Sequence, residues 1–380
     1  LHAEENFHGY FGGTLPEGHR EARNYERYGV PGEWYSWHKF TPRFNLAEEP
    51  NEANRFGWMV ELDPYDPNST PVKRTALGRF KHEAASIALT EDGRVAVYMG
   101  DDQRFDYLYK FVANGRYDPA DREANFGLLD DGTLYVARFR EDGKVDWMPL
   151  VFGEGPLTPE NGFESQADVM IETRVAADLL GATPMDRPED VENNPQTGRV
   201  YVMLTNNSRR EEPNVANPRA ANPHGHIIEI ATGHDHAQLE SDWSILVQCG
   251  NPDNPDDQAV WGPATTASGW FADPDNCAID NRGRLWVTTD GNSAVDTGRA
   301  DGVWAMETEG ELRGSGKHFY ACPAGAEMCG PYFTPNDETL FLAVQHPADD
   351  GEEWPEFGQK STFENPSTRW PDFEDGMPAR

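Results

Sequence analysis

Four acidic residues stand at one phase of a recurring pattern. Glu83, Glu189, Asp275 and Glu327 lie in KHEAASIALTEDGR, RPEDVENNPQTGR, DPDNCAIDNRGR and GAEMCGPYFTPNDET. Each precedes a short β-rich phrase by a similar interval: 10 residues from Glu83 to Gly93, 9 from Glu189 to Gly198, 8 from Asp275 to Gly283 and 11 from Glu327 to Glu338. Carboxylates gathered in a small space cannot all stay ionised unless cations neutralise them. Asp, Glu and Asn donors with few His or Cys suit hard cations such as calcium, magnesium, manganese or ferric iron. Taken singly, each acid reads as a turn residue capping backbone groups at a strand entrance. The recurrence of four at one phase favours ligation.

Arg187 lies two residues before Glu189 in MDRPED. In extended chain, positions two apart project the same way. A cation beside a metal-binding carboxylate and facing the same cleft is the arrangement a phosphate site needs. On these residues alone, pairing with Asp186 or Asp190 is the simpler reading. The Glu4–Glu5 pair in LHAEENF carries no message by itself. The pairs His224/His226 and His234/His236 lack a third zinc or copper ligand at fixed spacing. NPDNPDD, from Asn251 to Asp257, lacks the glycine and terminal Glu of a calcium loop and reads as a solvated loop. There is no GxSxG, HExxH, P-loop or strand-linked GxGxxG, so serine hydrolase, zincin, NTPase and Rossmann readings lack support. None of Cys249, Cys277, Cys322 and Cys329 forms a CxxC pair. Cys322 and Cys329 are close enough along the chain to bridge a short loop, and reduced thiols are an equal alternative.

These residues need a β scaffold to position them. Five phrases read as turn, alternating strand and polar stop: GRVAVYMGDD from Gly93, GTLYVARFRE from Gly132, GRVYVMLTNN from Gly198, GRLWVTTDGN from Gly283 and ETLFLAVQHP from Glu338. Their β-branched and aromatic content and their turn glycines predict strands. A carboxylate at one phase of such a repeat is what an all-β propeller shows, with equivalent positions ringing a central channel. Gaps of 105 residues from Gly93 to Gly198 and 85 from Gly198 to Gly283 suit blades of roughly 40–50 residues with loop insertions. Ala167 to Leu180 is the best helical segment, with Gly181 as its stop. The segment from Gln248 to Gly269 reads as loop. No composition break marks a boundary, so residues 1–380 read as one domain, with 348–380 an irregular tail packed on it.

Composition narrows the partners. The 380 residues hold 32 Lys+Arg against 66 Asp+Glu, a net charge of −34. A nucleic-acid binder needs a basic face, which this chain lacks, and anionic membrane surfaces are disfavoured likewise. No apolar run is long enough to span a bilayer. The 11 Trp, 13 Tyr and 19 Phe supply a core despite a hydrophobic content of 37%. Gly and Pro number 36 and 29, which favours turns and short strands over long helices. The excess of acid over base fits a salty habitat.

Several longer stretches carry a resemblance. EENFHGYFG from Glu4, NRFGWMVELDPYDP from Asn54, PVKRTALGRFKHEAA from Pro71, GDDQRFDYLYKFV from Gly100 and TRVAADLLGATPMDRPEDVE from Thr173 resemble the PhoX-type alkaline phosphatases. So do NPRAANPHGHIIEI from Asn217, DPDNCAID from Asp273 and FTPNDETLFLAVQHP from Phe333. The resemblance covers nearly the whole chain. It implies a β-propeller with short helical insertions, six-bladed at full length and incomplete here. It also implies a metal-dependent phosphomonoester hydrolase with calcium and ferric iron as cofactors, in which metals activate an oxygen nucleophile. Carried over by position, Glu83 and Glu189 are expected metal ligands, with Glu4, Glu5, Asp275, Asn276 and Glu327 as further candidates. Arg187 becomes the expected catalytic phosphate clamp.

Family members carry a segment before EENF that includes an iron-ligating cysteine. The chain is therefore expected to be an N-terminally incomplete member that binds iron poorly on its own. Small phosphate monoesters are the expected substrates, the periplasm or exterior the expected location, and a monomer the expected state. A calcium-dependent propeller lactonase is a rival reading, as is a non-catalytic or inactive propeller fragment.

Overall fold

The computed structural model describes residues 1–347 and 351–374. Within it the chain forms two compact units: Leu1–Pro188 with Thr232–Asp242, and Glu189–Ala231 with Trp243 onward. The boundary at Pro188 falls at the first residue of a strand, so no linker composition announces it. The fold is all-β, built of antiparallel meanders of the propeller type, with three short α-helices among the described residues.

In the first unit, β1 (His2–Ala3), β2 (Met59–Glu61) and β3 (Val72–Lys73) make a small antiparallel sheet. A second meander runs β4 (Ser86–Leu89), β5 (Arg94–Gly100), β6 (Leu108–Arg116), β7 (Gly132–Phe139) and β8 (Lys144–Pro149). Its register pairs Ile87 with Val97, Val97 with Phe111 and Phe111 with Leu134. Val95, Val97 and Met99 of β5 join one core with Tyr109, Phe111, Leu134 and Val136. Ala96 and Tyr98, on the opposite face, are buried too. A strand covered on both sides needs no polar alternation, which is why the run from Val95 to Gly100 holds no charged residue.

Two short helices cover this core, and a third packs in a separate cluster with Phe7 and Phe11. α1 (Ala22–Tyr28) is followed by α2 (Gln166–Ile171) and α3 (Thr173–Leu180). The one helix expected from Ala167 to Leu180 is thus two, broken at Glu172, whose ψ of 37° leaves the helical region. At the break the Met170 carbonyl accepts from the Arg79 N–H at 2.9 Å, and the buried Glu172 side chain pairs with Arg23. Ser165 caps α2 by accepting from the Asp168 N–H at 3.3 Å, and Gly181 stops α3 in the left-handed region as expected.

In the second unit, β9 (Pro188–Asn194), β10 (Arg199–Leu204) and β11 (His226–Ala231) lie side by side. β12 (Glu240–Gln248) gives its first three residues to the first unit, where they pair with β8. A four-stranded meander follows: β13 (Pro274–Ile279), β14 (Leu285–Thr289), β15 (Gly302–Met306) and β16 (Gly316–Ala321). The hairpin of β17 (Glu327–Phe333) and β18 (Leu340–Gln345) ends the strand series among the described residues. All five sequence phrases are strands: β5, β7, β10, β14 and β18. The segment from Gln248 to Gly269 is mostly loop: Gln248 closes β12 and bridges to Val260, and one short turn of helix spans Pro255–Asp257. In the expected tail, residues 351–374 are turns and bends with one helical turn at Gly351–Glu353, while 348–350 and 375–380 lie outside the described residues.

Two glycines that open phrases serve different needs. Gly93 has φ 83° and open space around it, whereas a Cβ on Gly132 would lie 2.4 Å from the Val112 carbonyl oxygen. Gly93→Ala is therefore expected to cost about 1 kcal/mol, from the left-handed backbone alone. Gly132→Ala must move a neighbouring strand and should cost about 2–3 kcal/mol. Urea midpoints measure both, and equal shifts would refute the distinction.

His236 packs against Tyr98, with 3.0 Å between its Nδ1 and the tyrosine hydroxyl. Burial, helped by the Lys110 charge, lowers its pKa to about 4. The unfolded chain takes up that proton near pH 6.5, so stability should fall as pH drops from about 6.5 to about 4. His236→Gln should flatten the slope of unfolding free energy in that window.

Candidate metal centre

Each recurring acid stands at the start of a hairpin. Glu83 lies three residues before β4, Glu189 and Asp275 are the second residues of β9 and β13, and Glu327 is the first of β17. The phrase strands β5, β10, β14 and β18 are the returning arms. The spacing of 8 to 11 residues seen in the sequence is thus one outgoing arm plus its turn.

In the first unit, Glu5, Glu83 and Asp102 each offer an oxygen, and the three oxygens lie within 4.8 Å of one another. Backbone pairing brings these segments together. The His82 N–H donates to the Glu4 carbonyl at 3.2 Å, the Glu83 N–H to the Gly100 carbonyl at 3.4 Å, and the Asp102 N–H to the Lys81 carbonyl at 3.0 Å. Asp102 was not anticipated as a site residue. Its signal was the acidic doublet Asp101–Asp102 closing the first phrase directly after a buried strand.

Arg187 forks onto Asp102, with Nε donating to Oδ1 at 2.8 Å and Nη2 to Oδ2 at 2.9 Å. Neither Asp186 nor Asp190 takes this fork: Asp190 Oδ2 accepts from the Cys277 N–H at 2.8 Å, and Asp186 forms a backbone bridge with Arg104. Around that bridge, Phe105 donates to the Met185 carbonyl and Met185 to the Asp106 carbonyl, each at 2.9 Å, which carries Arg187 alongside Asp102. The extended geometry assumed between Arg187 and Glu189 does not hold. Arg187 has φ 55°, and Pro188 follows it. A left-handed non-glycine residue costs about 1–3 kcal/mol and persists only where its surroundings enforce it.

Glu4 and Glu5 part company. Glu4 Oε2 accepts from the Gly57 and Trp58 N–H groups at 3.1 Å each, and Oε1 accepts from Lys73 Nζ at 2.6 Å. Glu4 thus fastens the chain start to the segment leading into β2, while Glu5 belongs to the acidic cluster.

In the second unit, Asp275, Glu327 and Cys329 also place one atom each within 4.8 Å of the others. Asn276 ties this group together: its Oδ1 accepts from the Gly330 N–H at 2.8 Å. Burial works against the charge on Glu327, but donors from His346, Cys329 and Gln345 outweigh it and hold the carboxyl below its usual range. Burial and the Glu327 carboxylate push the Cys329 thiol well up, so the thiol donates its proton to Glu327. Cys329 was read only as a possible bridge to Cys322. All four cysteines are free thiols, and Cys322 Sγ contacts the Ala326 carbonyl instead. Glu189 is buried on β9.

The His224/His226 pair is taken up by structure. His226 bonds the Ala216 carbonyl at 2.7 Å and Asn222 at 3.2 Å, and His224 faces Asp257 at 3.4 Å. In NPDNPDD, Asn254 caps a helical turn and Asp257 accepts from the Asn251 N–H, so its oxygens serve the loop itself.

The all-oxygen donor set of Glu5, Glu83 and Asp102 fits a hard cation. Three clustered carboxylates carry negative charge for that cation to offset. Glu5→Gln should therefore weaken calcium binding with little change in stability. Glu4→Gln should cost about 1–2 kcal/mol of stability and leave calcium binding unchanged. Calorimetric titration and thermal melting of both variants check this, and equal calcium loss in both would refute the assignment.

Known proteins show the same arrangement of chain. A search of curated proteins found no match. The family model described as alkaline phosphatase PhoX matches residues 1–348. The solved structure of Pseudomonas fluorescens PhoX in complex with vanadate, a transition-state analogue, matches with a TM-score of 0.85 at 40% identity. The match covers 92% of this chain and 63% of that one, so the chain spans just under two thirds of that relative's length. A Dyadobacter fermentans protein of unknown function matches at 11% identity with a TM-score of 0.29, covering 70% of this chain and 63% of that one, and carries no weight. With the family model matching nearly end to end and the structural relative 40% identical, this chain belongs to the PhoX alkaline phosphatase family.

Proposed function

We propose that the chain carries metal- and phosphate-binding machinery of an alkaline phosphatase that releases phosphate from small monoesters. The observation that carries this reading is the Glu5–Glu83–Asp102 oxygen cluster with Arg187 locked onto one of its acids. Vanadate, bound by the Pseudomonas relative as a transition-state analogue, supports a phosphoryl-transfer site in the family. Calcium and ferric iron are the metals we propose, held by Glu5, Glu83 and Asp102 and by Asp275 and Glu327, with Glu189 and Asn276 as further ligands. A single propeller acting as a monomer, in the periplasm or outside the cell, completes the proposal. No helix among the described residues is long and apolar enough to cross a membrane.

The chain's own residues have distinct tasks. Arg187 orients the Asp102 carboxylate through two parallel charge-assisted bonds. Its side chain is 21% exposed, which lets the planar guanidinium also face a phosphoryl group. Placed where negative charge builds on the phosphoryl oxygens, that fixed cation stabilises the transition state without reorganising. Glu5 and Glu83 hold their oxygens on backbone tied by β pairing, so the site is built before substrate arrives. When bound, the metals would supply Lewis-acid neutralisation of the phosphoryl oxygens and an activated water.

The test is hydrolysis of p-nitrophenyl phosphate at alkaline pH, with calcium and ferric iron supplied. Glu189→Gln should abolish turnover, and Arg187→Ala should lower kcat/KM about 100- to 1,000-fold. An Arg187→Ala enzyme as fast as the parent would remove the clamp, and a metal-loaded parent without turnover would remove the phosphatase assignment.

A further inference from the structure

Behind the first acidic cluster lies a second, buried set of charges that the phosphatase reading does not use. Arg174 of α3 and Asp101 are both fully enclosed. Arg174 Nε donates to Asp101 Oδ2 at 2.8 Å, and Nη2 donates to Oδ1. Arg174 Nη1 reaches Gln103 Oε1 at 3.2 Å and lies 3.5 Å from Asp106. The guanidinium stacks 4.9 Å over the Tyr28 ring, which fixes its plane. Arg27, on α1, in turn holds Asp106 and Asp178.

The pair grips the two segments that bear the candidate ligands. Asp101 Oδ1, besides the guanidinium, accepts from the Lys81 backbone N–H at 3.1 Å. Gln103 Oε1, besides Arg174, accepts from Lys81 Nζ at 2.7 Å. Lys81 lies two residues before Glu83, and Asp101 lies directly before Asp102. One buried guanidinium therefore reaches segment 81–83 and segment 100–103 at once, through a carboxylate and an amide that each bond both sides. Hydrogen bonds to ionised groups are the stronger kind, and burial shields them from water.

We propose that Arg174 and Asp101 are a positioning pair that sets the separation of Glu83 and Asp102, and so the cation affinity of the candidate metal centre. This rests on the metal-binding reading above. The pair touches neither metal nor substrate. Its effect is transmitted through the Lys81 N–H and through the peptide that joins Asp101 to Asp102. Groups that orient metal ligands from behind commonly change affinity about 10- to 100-fold when altered.

The test is calcium binding to the full chain by isothermal titration calorimetry, at a temperature where circular dichroism shows each variant folded. Arg174→Lys keeps the charge but loses the fork, and Asp101→Asn keeps the shape but loses the charge. Each should weaken calcium binding at least about tenfold. Gly132→Ala, destabilised away from the cluster, should bind as the parent does, because loss of stability alone does not change affinity in a folded population. If a charge variant does not fold, Gln103→Met carries the test: it keeps the Arg174–Asp101 fork, removes only the amide acceptor shared by Arg174 Nη1 and Lys81 Nζ, and should weaken binding in the same direction. Parent-like binding in the positioning variants, with binding lost in Glu83→Gln, would overturn the positioning role and leave the metal reading standing. Binding equally weakened in Gly132→Ala would also overturn it. Parent-like binding in Glu83→Gln would remove the metal reading and this proposal with it.

Discussion

Three carboxylates within 4.8 Å of one another repel. At an effective dielectric of about 20, each pair costs roughly 3–4 kcal/mol at that separation. Side chains on loose loops would relax apart. Here they stay because their backbone cannot move: Glu83 and Asp102 are cross-bonded through Gly100 and Lys81, and the chain before Glu5 is bonded to His82. The energy that holds the acids together comes from strand pairing and from the core beneath it. The site is a local strain that the surrounding β structure sustains.

Arg187 shows the same economy. Its left-handed backbone, directly before a proline, is an unfavourable conformation for an arginine. The fork onto Asp102 and the Asp186–Arg104 bridge on its other side hold it there. The result is a cation aimed at an acidic cluster from a short connection between α3 and β9, where a relaxed backbone would point it elsewhere. This placement also tempers the strong acidity of the chain. A net charge of −34 repels phosphate esters at long range, but screening confines that repulsion to about 8–10 Å in saline water, and within that distance fixed cations decide what binds.

Buried ionic groups recur in the first unit. Arg79 is enclosed beneath Phe7 and Tyr28 and donates to the backbone carbonyls of Ala53 and Phe56. Lys110 lies under Trp147 and donates to Gln238. Burial draws the Lys110 pKa down to about 7. Such groups add little net stability, because desolvation offsets most of the attraction. They do enforce one geometry, since any shift would leave a charge or a donor unmatched, and a metal centre of several carboxylates needs a single geometry.

Much of this protein was legible from residue order alone. The five strand phrases, the hairpin-length interval that separates each from its acid, the α3 stop at Gly181 and the all-β class all follow from local rules, because strand periodicity, turn chemistry and capping act over a few residues. Glu83, Asp275 and Glu327 stood out as candidates for the same reason, while Glu5 came only from the family resemblance. Tertiary structure decided the rest. It divided Glu4 from Glu5 and added Asp102 and Cys329 to the clusters. It turned Arg187 onto an acid 85 residues away. It also placed the Arg174–Asp101 pair behind the site. Those outcomes depend on which distant segments pack together and on how a buried charge finds its partner. Neither is written in any short window of sequence, since the energy that selects them comes from burying all the segments at once.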